Sequence, residues 1–152
     1  MRVRSTLVAL TALATAAVLA LPWSAGAVGG SPISTDMVGA EEAPGPGDPD
    51  ASGHASFTLN QGQGTICFDL TWADIDGTVV AAHIHPAPAG APGPVAVPLF
   101  MGTTFAGTDS ASGCNTDVDP ALVKDIRKNP ENYYVNVHSS AFLPGAIRGQ
   151  LG

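Results

Sequence analysis

Positive charge is scarce in this chain. Its 152 residues carry 6 Lys and Arg against 13 Asp and Glu, and two of the six basic residues, Arg2 and Arg4, fall in the first four positions. Without those two, the remaining chain carries a net charge of −9. So acidic a surface repels phosphate backbones and anionic headgroups, which argues against nucleic-acid binding and against electrostatic docking on membranes. Long apolar runs are scarce too: there is one near the N-terminus and none after it. Cysteine is limited to Cys67 and Cys114. Familiar catalytic signatures are missing. There is no G-x-S-x-G elbow, no phosphate-cradling glycine loop after a strand and no H-E-x-x-H. Ser139 and Ser140 beside His138 do not make a triad, because neighbours on a strand point apart and no orienting acid is signalled. The carboxylates are scattered, with no pair placed as a glycosidase requires. These absences leave a non-enzymatic module as the leading expectation, with an extracellular protein or cell-surface component as its partner.

The N-terminus reads as an export signal. MRVR supplies positive charge, STLVALTALATAAVLALP is mostly apolar, and Ala25-Gly26-Ala27 is a small-residue cleavage pattern. Residues 1–27 are therefore expected to be a signal peptide, cut after Ala27. A membrane anchor is the rival, but the apolar run is marginal in length for a span. No cysteine stands at the cleavage site and Arg2 and Arg4 are not adjacent, so neither a lipoprotein nor a twin-arginine signal is expected. The expected product is secreted, with no membrane insertion after removal. In an exported chain an even cysteine count reads as a Cys67–Cys114 disulfide. Thiolate metal ligation is the weaker alternative. Residues 28–50, VGGSPISTDMVGAEEAPGPGDPD, are rich in Gly, Pro and acid, and read as a flexible acidic linker. Residues 51–152 then form one small domain.

The domain reads as strands with one helix. Thr65 to Trp72 alternates cleanly, with Ile66, Phe68, Leu70 and Trp72 on one face. Strands are also expected at His54–Leu59, Thr78–His85, Val95–Phe100, Asn132–His138 and Ala146–Leu151, with Thr103–Ala106 as a possible continuation. Pro98 marks its strand as an edge or a bulge. Asp119 as N-cap and Pro120 at the first helical position open a helix whose apolar face is Leu122, Val123 and Ile126. The fold class expected is all-β with one short helix: an antiparallel β-sandwich or Greek-key barrel, superoxide-dismutase-like or immunoglobulin-like.

Several stretches together resemble the CHRD domain family, the module first described in chordin. They are AAHIHPAPAGAPGPVAVPL, then NPENYYVNVHSSAFLPGAIRGQL, in the family order and spanning nearly all of residues 51–152. TICFDL with Cys67, and Gly113-Cys114, are similar to the bacterial, secreted branch. The loop after HIH is unusually proline-rich, and AFLPGAIRG replaces a shorter Pro-Gly-Gly form. The resemblance implies an extracellular setting. It does not transfer the growth-factor antagonism of animal chordin-type proteins, because fold alone does not assign function.

The chemistry concentrates at AHIH. On a strand, His83 and His85 share a face, about 7 Å apart at Cβ, a span that two imidazoles can bridge to one ion. His138 ends the YYVNVH strand on a shared face with Asn136 and Tyr134. If that strand lies beside His83, three imidazoles converge, and imidazoles suit copper or zinc. The pattern is similar to the copper side of copper–zinc superoxide dismutases. With 4 His in the chain and His54 on another strand, however, the two-metal site cannot be assembled. The alternative is a structural polar network, in which His83 and His85 are satisfied by Tyr133, Tyr134, Asn136 and Gln150. Arg148 is expected to pair with a carboxylate, Asp69 or Asp76, and alternatively to hold an anion beside the histidines.

Overall fold

The computed structural model describes residues 29–102 and 105–152. The expected signal peptide, residues 1–27, lies outside them, as does the start of the Thr103–Ala106 segment, whose remaining residues form a turn. Among the described residues no helix is long and apolar enough to cross a membrane.

Eight strands form one antiparallel sheet: β1 (Ser31–Val38), β2 (Ser52–Asn60), β3 (Thr65–Ala73), β4 (Val79–Pro86), β5 (Val97–Met101), β6 (Ser110–Asn115), β7 (Tyr133–Ser139) and β8 (Ile147–Gln150), in the order β5-β4-β7-β8-β1-β2-β3-β6. The edges β5 and β6 approach each other, and Asn115 Nδ2 donates to the Pro98 carbonyl across the gap. The sheet is thereby nearly closed, and with β5 beside β6 the strands from β3 to β7 follow Greek-key order. The all-β expectation holds.

The core lies inside this barrel. It is lined by the alternating residues of β2 and β3 (Ala55, Phe57, Leu59, Ile66, Phe68, Leu70 and Trp72) and by Ala82, Ile84, Val135, Val137 and Ile147 from the other side. Helix α1 (Pro120–Lys128) packs Val123 and Ile126 into it. Asp119 accepts a hydrogen bond from Ala121 N at 2.8 Å, as its capping role requires.

One expectation is corrected, and two strands are added. The expected linker, in its described residues 29–50, is not a linker. Ser31–Val38 pairs with β2 over its whole length, from Ser31 opposite Leu59 to Val38 opposite Ser52, and buries Met37 completely. Its Gly, Pro and acid content hid a real alternation: Ile33, Thr35 and Met37 turn inward while Pro32, Ser34 and Asp36 are exposed. The second omission was β6, SASGCN, which has too little apolar character to signal a strand. Sheet pairing sets Cys114 directly opposite Cys67 on β3, and the two form the expected disulfide.

Candidate metal centre

β7 inserts between β4 and β8, and the register decides what meets what. His83 stands opposite Asn136, His85 opposite Tyr134 and Ala81 opposite His138. On the other flank Arg148 stands opposite Asn136 and Gln150 opposite Tyr134. Directly paired residues share a face. The intervening residues Ala82, Ile84, Val135 and Val137 fill the core, so this polar set lies on the outside of the barrel. It is nevertheless buried: His83 is 7% exposed, His85 6%, Asn136 2% and Arg148 1%.

The proline-rich loop after β4 provides the cover. Arg148 Nη1 donates to Ala91 O at 2.9 Å and Nη2 to Pro88 O at 3.0 Å, while Gln150 Nε2 donates to Ala87 O at 2.9 Å. Gly93 donates its N–H to Tyr134 Oη at 3.2 Å. A side chain at Gly93 would meet the Pro86 carbonyl at 2.4 Å, so the close approach of the loop requires glycine. The Arg148 guanidinium lies 3.5 Å from the Tyr134 ring centroid, and the other side of that ring region stacks with His85 at 4.7 Å and 5°. This is cation–π packing. Arg148 therefore finds no carboxylate at Asp69 or Asp76. Strand parity gave the face of Asp69 but not its distance: β3 is three places from β8 in the sheet. Tyr133 leaves the expected network as well. It points inward, into the core cluster, and its hydroxyl donates to Asp125 at 2.5 Å.

The three histidines converge. One nitrogen from each of His83, His85 and His138 lies within 4.8 Å of the others. His83 Nδ1 is 3.1 Å from His138 Nε2, close to the edge of about 3.3 Å expected for a tetrahedron with bonds near 2.0 Å. His54, the fourth histidine, sits on β2 with Asp36 Oδ1 at 2.8 Å and takes no part.

The outer nitrogens settle the protons. His85 Nδ1 donates to Gly93 O and His138 Nδ1 to Leu143 O, each at 2.9 Å. A neutral imidazole carries one proton, so both Nε2 atoms present lone pairs to the centre. They face Asn136 Oδ1, itself an acceptor, at 3.1 and 3.0 Å. Acceptors at that spacing require something positive between them. Three species qualify: a ring proton, including the one that a neutral His83 carries on Nδ1 3.1 Å from His138 Nε2, the Asn136 amide turned with its NH₂ inward, or a metal cation.

Burial weighs against an added proton. Burial, reinforced by the neighbouring His138 and His85, pushes the His83 pKa down to about 4, and burial lowers that of His138 despite the Leu143 carbonyl. An extra proton is therefore unwelcome near neutrality. The Glu42 carboxyl lies near the Asn136 amide. Burial raises Glu42 to about 7, against the pull of Arg148. Its carboxyl is packed so tightly that a side chain at Gly145 would lie 2.3 to 2.5 Å from it. Glu42 was invisible in sequence because it lies in the acidic, proline-rich stretch that reads as linker. The donor set also fits a metal: three imidazole nitrogens and one amide oxygen, with two rings oriented by backbone carbonyls in the way metal-bound histidines usually are.

Compared with known proteins, the chain matches the family model of the CHRD domain over residues 33–151. No curated protein and no solved structure matches it.

Proposed function

The chain belongs to the CHRD-domain family, and on that footing we propose that it is an exported, non-catalytic module that binds a single copper or zinc ion through His83, His85 and His138. The observation that carries this reading is the acceptor-lined centre. Gly93 O and Leu143 O hold the protons of two rings outward, leaving lone pairs and Asn136 Oδ1 aimed at one point. Holding an ion is favoured over turning over a substrate. The cavity of about 630 Å³ beside Arg148 and Gln150 is lined by Ala40–Pro46, Ala89 and Gly90, and none of the histidines borders it. Storage, delivery or scavenging of the ion is the role consistent with so enclosed a site. The disulfide and the acidic composition suit an extracellular, secreted setting. Capture of an extracellular protein or cell-surface component is the second reading, and the exposed Leu143, whose carbonyl holds His138, is its best foothold.

Calorimetric titration with Cu²⁺ and with Zn²⁺ tests the proposal. Sub-micromolar, one-to-one binding is expected for the protein and its loss in the His83→Ala/His85→Ala variant. Absence of binding to either ion, with a variant that merely melts earlier, would make the histidines part of the scaffold.

A further inference from the structure

Among the described residues two buried carboxylate oxygens have no hydrogen-bond partner, Glu42 Oε1 and Asp48 Oδ1. Glu42 has Arg148 and the Asn136 amide for company. Asp48 is worse placed. It is completely buried, and the one ion pair among the described residues is His54–Asp36, so no cation answers it. Its Oδ2 accepts from Asp76 N at 2.7 Å, which leaves Oδ1 with nothing. Asp50, two residues on, brings its carboxyl within hydrogen-bond reach of Asp48's, and Asp76 adds further negative charge nearby; Asp48 holds Asp50 above the usual carboxylate range. A buried carboxyl oxygen without a hydrogen-bond partner is costly.

We propose that Asp48 Oδ1 and the Asp50 carboxyl bind a hard divalent cation of the Ca²⁺ class, separate from the histidine centre. Oxygen-only donors suit calcium rather than copper or zinc. Asp48 supplies the buried ligand, Asp50 the exposed one, and water completes the shell, as calcium sites allow. The ion acts as a clamp. Asp48 belongs to the β1–β2 connection, where its N–H donates to Ala146 O at 2.8 Å. Asp76 belongs to the β3–β4 connection, where its carbonyl accepts from Ser139 Oγ on β7 at 2.6 Å. Neutralising Asp48 holds these connections together at one end of the barrel.

Thermal melts of the purified protein, stripped with EGTA and then given Ca²⁺ at about 1 mM, where extracellular calcium modules bind, test this. The melting temperature is expected to rise by about 5 °C where about 1 mM Ca²⁺ is roughly 10 times its Kd. Asp48→Asn keeps the acceptor for Asp76 N, so it is expected to fold, to melt without calcium no lower than the parent, and to show no rise. The rise is expected to persist in His83→Ala/His85→Ala, which makes the outcome independent of the histidine centre. The proposal is overturned if the parent is indifferent to Ca²⁺. It is equally overturned if Asp48→Asn retains the rise.

Discussion

The two halves of this barrel treat their outer faces differently. On β3 burial alternates: Ile66, Phe68, Leu70 and Trp72 turn inward, while Asp69 and Thr71 are exposed to solvent. On β4 and β7 nearly every residue is buried, inward and outward alike, although the outward ones are His83, His85, Tyr134 and Asn136. A strand that is polar on its outer face normally leaves that face in water. Here a loop held by Arg148, Gln150 and Gly93 seals it. Buried polar groups must be satisfied, so the sealed half is where chemistry is to be expected and the open half is where ordinary stability resides.

That contrast can be broken from either side. The largest effect is expected on the open half. Replacing Cys67 and Cys114 by Ala frees a loop with a sequence separation of 47 residues. Denaturant unfolding should show a loss of about 4 kcal/mol, while copper or zinc affinity stays unchanged. A fall in affinity would mean that the halves are coupled.

Next comes pH, which reads the sealed half. The folded-state pKa of His83 is depressed to about 4 from 6.5. Between these values the unfolded chain binds a proton that the folded one refuses, so stability rises with pH across this window and is lost as pH falls from 6.5 towards 4. At about 1.4 kcal/mol per unit the loss reaches up to roughly 3 kcal/mol. His138, also depressed, adds in the same direction. Urea melts of metal-free protein from pH 7 to pH 4 check the sign, and His83→Ala should flatten the slope.

Arg148→Met is expected to cost about 2 kcal/mol, because it leaves the Pro88 and Ala91 carbonyls without their donor under the loop. Amide exchange should speed up in residues 87–94 and not in β2 or β3. The smallest effect belongs to Asp119→Ala. Loss of its hydrogen bond to Ala121 N should cost about 1 kcal/mol, with no change at the histidines.

Most of the open half was legible in the sequence. The alternation of Thr65–Trp72, the Asp119-Pro120 helix start and the pairing of Cys67 with Cys114 are local or compositional signals. The sealed half was legible only by face. His-x-His and the YYVNVH strand announced which side chains share a side, but not that β7 would lie beside β4. β1 and Glu42 were missed for a related reason. A strand with one fully buried side chain, Met37, carries little apolar signal.

Periodicity and residue type, then, determined by themselves the all-β class, the inward-facing residues, the helix and the residues able to ligate a metal, because a strand's period of two is a property of the backbone alone. Only the tertiary structure decided which strands are neighbours, that Arg148 answers to loop carbonyls and a tyrosine ring rather than to Asp69, and which histidine nitrogens point inward. Those outcomes rest on pairings between segments far apart in the chain, such as His83 with Asn136 and Val38 with Arg148. Such pairings follow from closing the barrel around its shared core, which no local pattern encodes.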